Sequence, residues 1–342
     1  QDNYIPCVIS DTNTGKHNDY AAIDIAQYQT GASVFYKESI NELLDYFYGT
    51  RDESERRKQR SAALVKTIGN NIDRCVKKLV VLKTTIDEAS NKDELKTYAD
   101  LIIANVYRIK QGEKFAELEN FYDDGKLIRI PLDEILSPQA NALKYYKAAH
   151  KAKSALLEAD NQLEIARIEL DYLENVMEFI NRATTMEELN EIREELAMGG
   201  YVKDNVKGKK KQQNKQTPPL HFKSSDGFDI YCGKNNTQND FLSMRFANSG
   251  DLWFHTKNIP GSHTIIKLGI DKNVPDTTIL EAASLAAIHS SAKDSAKVPV
   301  DYTQIKNVKK PSGAKPGMVI YDHYNTVYVT PDAELAKRLR VE

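Results

Sequence analysis

The stretch "PQANALKYYKAAHKAKSALLEADNQLEIARIELDYLENVMEFINR", Pro138–Arg182, places Ala142, Tyr145, Ala149, Ala152, Leu156, Ala159, Leu163, Ala166, Leu170, Leu173, Met177 and Ile180 at steps of three and four. A sustained period near 3.5 keeps one apolar seam turned toward a partner helix, the pattern of a coiled coil. At 1.5 Å per residue the helix is ~65 Å long. Upstream, Val65, Ile68, Ile72, Cys75, Leu79, Leu82 and Ile86 repeat the spacing. About fifty residues with their own content separate the two seams. An antiparallel pair within one chain, capped by a small tip at about 90–135, accommodates them; a parallel homodimer would leave that tip awkwardly placed. The tip holds a helix in "KDELKTYADLIIANVYRI" and a hairpin in "AELENFYDDGKLIRIPL", turning at Asp124-Gly125.

Outward from the arms, residues 1–36 alternate around Gly and Asn turns and read as two or three strands, followed by a helix over Glu38–Tyr48. Thr185 and Glu188 offer a capping box for a short helix that stops at Gly199. Residues 201–219, with Lys207, Lys209, Lys210 and Lys211, are too polar to bury a core and read as a flexible linker. Residues 220–342 form a compact α+β module. Its strands are expected in "FDIYCG", "DLWFHT", "SHTIIKL", "VDYTQIKNV", "GMVIYDH" and "TVYVT", and its helices in "TQNDFLSMRFA", "PDTTILEAASLAAIHSSA" and "DAELAKRLR". Asp276-Thr277-Thr278 is expected to cap the middle helix, and Tyr324-Asn325-Thr326 to turn between the last two strands. The fold class is therefore α+β and multidomain.

The formal net charge of −2 conceals an asymmetry: residues 1–202 carry 26 Lys and Arg against 35 Asp and Glu, and residues 203–342 carry 21 against 14. A polyanion would therefore meet the C-terminal part. Cys7, Cys75 and Cys232 show no paired spacing, which argues against a disulfide framework or a zinc site and suits a reducing cytosol. No apolar run approaches a membrane span, and no signal-peptide order opens the chain. Starting on a strand without methionine, it reads as a fragment of a longer protein.

The stretch "DLWFHTKNIPGSHTIIK", Asp251–Lys267, holds the chain's single tryptophan and two of its seven histidines. Adjacent strand residues point to opposite faces, so Ser262 and His263 cannot serve each other as nucleophile and base. No third histidine completes a metal set with His255 and His263, and no catalytic, metal or cofactor site is expected. Alternation instead gathers Trp253, His255 and His263 with Lys257 and Lys267 on one face, the kind of aromatic and basic surface that stacks bases and meets phosphate. Packing of Trp253 against helices is the competing reading. Lys306, Lys309, Lys310 and Lys315 surround a Pro-Ser-Gly turn. A further basic patch, Lys144, Tyr146, Lys147, Lys151 and Lys153 with His150, lies in the acidic half; it reads either as a ribosome contact or as a solvated helix face.

Together "SGDLWFHTKNIPGSHTIIK", "VDYTQIKNVKKPSGAKPGMVIY" and "LDEILSPQANALKYYKAAHKAK" resemble the NFACT family, whose bacterial members include the RqcH group and the streptococcal fibronectin- and fibrinogen-binding proteins. The resemblance implies the end of an NFACT-N domain to about residue 50, a middle coiled coil to about 200, and an NFACT-R domain from 220. It further implies a cytoplasmic scaffold that binds the large ribosomal subunit and alanyl-tRNA during alanine tailing of stalled chains, with no membrane or DNA partner. The family's Asp-Arg pair for tRNA lies in the early part of NFACT-N and is absent here, so the fragment is not expected to support tailing alone. Binding of host fibronectin and fibrinogen at the cell surface is the alternative of another class, and RNA cleavage by the module a third.

Overall fold

The computed structural model describes residues 5–12, 17–23, 32–203, 217–269 and 273–341. The remainder of the linker, with Lys207, Lys209, Lys210 and Lys211, lies outside the described residues. The chain divides into two compact units, residues 70–173 and the segments 1–69 with 174–342.

In the larger unit, β1 (Cys7–Asp11) pairs antiparallel with both β2 (His17–Ala21) and β3 (Ala32–Tyr36). Val8 from this sheet packs with Leu43 and Phe47 of α1 (Ile40–Ala89). That helix absorbs the expected Glu38–Tyr48 helix and runs on into the first arm without a break. Near its middle, Leu64 and Ile68 are buried, as are Val176, Phe179 and Ile180 on the second arm. Arg57 donates to the Thr184 carbonyl, while a Cβ on Gly69 would lie 4.0 Å from Met177 Cε. Rising numbers on one helix thus meet falling numbers on the other, and the arms are antiparallel.

The 70–173 unit holds the facing arm segments and the tip. Lys78 Nζ donates to Gln162 Oε1 at 2.8 Å, in the same antiparallel sense. The tip contains α2 (Lys92–Ala104) and a hairpin of β4 (Phe115–Asn120) and β5 (Lys126–Pro131). In its five-residue loop, 121–125, Asp124 sits at φ 46° and Gly125 at φ 73°, left-handed conformations that Asp and Gly adopt readily. Leu101, Ile102, Leu118, Ile130 and Ala142 close its core. The second arm is α3 (Pro138–Arg182), with the bounds the seam predicts.

Helix α4 (Met186–Met198) opens on the predicted box: Thr185 accepts from Glu188 N, and the Glu188 side chain accepts from Thr185 N. The C-terminal module is a six-stranded antiparallel sheet ordered β13-β10-β8-β9-β7-β6, built from β6 (Leu220–Lys223), β7 (Asp229–Cys232), β8 (Leu252–Thr256), β9 (Thr264–Lys267), β10 (Val298–Gln304) and β13 (Asn325–Val329). Helix α6 (Asp276–Ile288) covers one face, where its alanines pack against Phe222, Phe254, Ile266 and Val300. Such small side chains let helix and sheet backbones approach closely. Helix α7 (Ala333–Leu339) closes the chain.

Three expectations are corrected here. Strand β6 was not anticipated; Pro218 and Pro219 hide a four-residue strand whose apolar alternation is only Leu220 and Phe222. Helix α6 is preceded by Pro275 with no side-chain cap, because Thr278 Oγ1 turns away to Asp226 Oδ2 (2.7 Å) and Ser224 Oγ (3.0 Å). Nor do the last two strands form a hairpin. The "GMVIYDH" segment contributes β12 (Ile320–Tyr321), which pairs with β11 (Val308–Lys309), whereas β13 pairs with β10.

Candidate nucleic-acid interface

Trp253 faces the side of the sheet opposite α6, as alternation predicts, with Ile265 directly across in register. That side is not open. Helix α5 (Asn236–Phe241) and a π-helical turn over Leu242–Phe246 bring Leu242 onto it, and a strap through β11 and β12 brings Ile305, Val308 and Tyr321. Trp253 is 0% exposed and His263 2%. The expected stacking face is therefore corrected for Trp253 and His263, which belong to a second core layer, while His255 at its margin keeps partial exposure. The sequence signal for that cover is the apolar content of "FLSMRF" and "MVIY", short pieces that carry no period of their own.

Within this layer the His255 and His263 rings meet edge to face at 5.4 Å, and His263 Nδ1 lies 2.7 Å from Ser243 Oγ. Burial holds His263 well below the usual imidazole pKa, and the neighbouring His255 pushes it the same way. His255 is also lowered, again by burial first. A depressed folded-state pKa means the unfolded chain binds the proton more readily below about pH 6.5, so stability falls on acidification. Thermal unfolding of the whole chain should show a declining midpoint from pH 7 toward pH 5.5. Replacement His263→Gln should make that decline shallower, with His255 and His289 keeping their share; an equal slope in parent and variant would refute the assignment.

The Pro260-Gly261-Ser262-His263 run does other work. Gly261 N donates to Asn175 Oδ1 at 2.8 Å, and Ser262 Oγ donates to the Gly233 carbonyl. Arg182, at the end of α3, donates to Ser262 Oγ (2.8 Å), the Gly233 carbonyl (3.1 Å) and the His289 carbonyl (2.6 Å). A Cβ at Gly261 would stand 2.8 Å from Ser290 Cβ, so only glycine admits this approach. Beside it, α4 presents three acids at helical spacing. Glu188 pairs with Lys234 at 3.2 Å. Glu191 Oε2 accepts from Asn235 and Gln238, and Glu195 accepts from Asn236 Nδ2, Thr237 N and Thr237 Oγ1. The Pro-Gly-Ser-His run is thus half of a latch seating the sheet module on the base of the arms.

The lysines fall into two groups. Lys267 pairs with buried Asp251 at 2.6 Å, and Lys257 lies 3.5 Å from buried Asp301 and 4.7 Å from the Tyr324 ring. Lys310 is held by Asp240 and Lys315 by Tyr201. These four brace the module. Lys306 and Lys309 are exposed on the strap.

On the arm patch, Lys144 is drawn to Asp133 at 3.0 Å, and Lys151 stands exposed to one side. Tyr146, Lys147, His150 and Lys153 line a cavity of about 680 Å³ with Lys92, Asp93 and Lys96 from the first turns of α2. Tyr146 Oη donates to Asp100 Oδ1, and this bond first, with burial, raises its pKa to about 12. Four lysines and a histidine thus converge beside one carboxylate at the N-terminus of a helix, a disposition suited to phosphate oxygens. Lys92 and Lys96 were missed in the sequence because they sit about fifty residues from the other members.

Antiparallel arms, a helix-and-hairpin tip and a six-stranded sheet module are accompanied by family matches over nearly the whole chain. Residues 1–215 match the NFACT N-terminal and middle domains, and residues 219–322 match the NFACT protein RNA binding domain; the chain belongs to the NFACT family. It is 40% identical over 306 residues to the Rqc2 homolog RqcH of Bacillus subtilis, covering 89% of this chain and 53% of that protein. The RqcH of Streptococcus suis is 33% identical over 323 residues, covering 94% and 57%. The chain thus spans a little over half the length of these curated relatives. Among solved structures, the C-terminal part of the fibronectin/fibrinogen-binding protein from Streptococcus suis superposes with a TM-score of 0.65 at 30% identity, covering 84% of this chain and 100% of that one.

Proposed function

We propose that the chain is the arm-and-module part of a ribosome-associated quality-control factor, a non-catalytic scaffold that grips ribosomal RNA and tRNA in the cytoplasm. The observation that carries the reading is the basic notch of Lys92, Lys96, Lys147, His150 and Lys153, set in an otherwise acidic half. The RNA-binding domain match and the exposed Lys306 and Lys309 supply a second cationic surface. Engagement of the large subunit and alanyl-tRNA belongs to the same proposal and rests on the resemblance to the RqcH group, whose members here carry the name Rqc2 homolog. Peptide-bond chemistry then belongs to the ribosome.

Co-sedimentation of the whole chain with purified large ribosomal subunits tests this. Binding should fall steeply with salt, and Lys92→Ala/Lys96→Ala/Lys147→Ala/Lys153→Ala should weaken it about tenfold or more with a shallower salt slope. Equal affinity and equal slope for parent and variant would remove the notch from the mechanism. The name of the streptococcal structural neighbour favours a second reading, direct binding of fibronectin. Surface plasmon resonance of the chain on immobilised fibronectin at physiological salt decides it, and absence of a saturable response ends it.

A further inference from the structure

With Trp253 sealed inside, the module needs another surface if it is to stack bases. Among the described residues, the side chains of β6 and β7 on the sheet face that holds Trp253 keep partial exposure. Toward the β6–β7 side the rings of His221 and Tyr231, directly paired across the strands, lie parallel at 3° with centroids 4.5 Å apart. Tyr231 meets Phe246 edge to face at 4.8 Å, and Phe246 meets Phe241 at 5.8 Å. Four rings therefore form one continuous row across two strands and the helical cover. His221, Tyr231 and Phe246 are partly accessible, and Phe241 at its end is 40% exposed.

Cations accompany the row. Lys267 Nζ sits 4.9 Å from the centre of the Phe246 ring, Arg245 is exposed beside it, and Lys223 follows His221 by two residues on the same strand face. Phe241 adjoins Asp240, which holds Lys310 at the head of the basic Pro-Ser-Gly turn. The outer edge of β6 is occupied: Val341 N donates to the His221 carbonyl at 3.0 Å, and Phe222 bridges Arg340. Residues 340–341 thus lie along the edge where an added peptide strand would pair, whereas the rings keep partial exposure, His221 and Tyr231 each turning one face to the other and the opposite face outward along the row.

We infer that the row His221, Tyr231, Phe246 and Phe241 is a stacking platform for single-stranded RNA, with Arg245, Lys223 and the strap lysines meeting its phosphates. The inference rests on the RNA-binding reading above and names the form of RNA and the surface that takes it. Base-on-ring stacking tolerates any sequence, because every base has a π face, and it demands unpaired bases that can lie flat. A duplex, whose bases are already stacked, would use only the lysines.

The test is fluorescence anisotropy of the whole chain with a labelled 12-nucleotide uridine-rich single strand and a duplex of equal length, at low salt. Phe241→Ala should lose about fivefold or more in affinity for the single strand and little for the duplex, while Phe241→Tyr keeps the parental value. In Phe241→Trp, the new indole should be quenched as single strand saturates, against the constant background of buried Trp253. Parental affinity in Phe241→Ala, or emission from Phe241→Trp that does not change at saturation, would overturn the platform. If Lys306→Ala/Lys309→Ala alone weakens binding, the platform fails and the RNA reading stands. If neither RNA binds the parent, both fail.

Discussion

Trp253→Ala is expected to unfold the C-terminal module. The indole is completely buried between Leu242, Ile265, Ile305 and Val308, with Tyr321 against it at 4.8 Å. Truncating a buried tryptophan costs about 3–5 kcal/mol, the lost transfer energy plus the cavity left behind. That is a large fraction of the 5–15 kcal/mol that holds a typical domain together. Because the variant removes the chain's single tryptophan, unfolding should be followed by far-UV circular dichroism in denaturant. Trp253→Phe refills most of the space and relieves Nε1, which is buried without a hydrogen-bond partner among the described residues. It should cost far less and leave RNA affinity unchanged. A Trp253→Phe chain that folds normally yet loses RNA would return Trp253 to the interface.

Arg182→Met is the second large effect. The guanidinium fork fills three acceptors, on Ser262, Gly233 and His289, from three separate segments of the sheet module. Removing it leaves two carbonyls and a hydroxyl short of a charged donor inside a joint, a loss of about 2–3 kcal/mol. Arg182→Lys should recover little, since an ammonium on a flexible stem cannot span the same fork. The measurement uses a protease site inserted after Lys207. After cleavage, the parental pieces should co-elute in gel filtration, and those of Arg182→Met should separate at low micromolar concentration. Co-elution in both would show that the acids of α4 suffice to hold the joint.

The parts of the fold legible in the sequence are those set by local rules. The α3 bounds follow from a seam of twelve positions, the α4 start from a capping box, and the tip hairpin from Asp124-Gly125, because period, cap and turn are each decided within a few residues. Strand alternation also placed Trp253, His255 and His263 on one side. It could not say that the side is roofed, because the roof is assembled from a six-residue helix, one π turn and two dipeptide strands. The latch was equally hidden: Arg182 reaches partners 80 and 107 residues away through single side-chain bonds that leave no periodic trace. The aromatic row escaped for a related reason. His221 lies on a strand bounded by prolines, and Phe241 and Phe246 read as ordinary apolar helix positions.

The joint also bears on how freely homologous pieces can be exchanged. The matched RNA binding domain ends at residue 322, yet the sheet is completed by Asn325–Val329, and its loops are filled by Asn175, Arg182 and the acids of α4. A chimera that transplants residues 219–322 between relatives would separate these hydrogen-bond partners, module donors from Asn175 and the acids of α4, and module acceptors from Arg182. Substitutions at Gly261, Ser262 or Asn236 should then be tolerated only alongside compensating changes at Asn175, Arg182 or Glu195. The two regions are distant in sequence, but the joint makes them a single unit of variation.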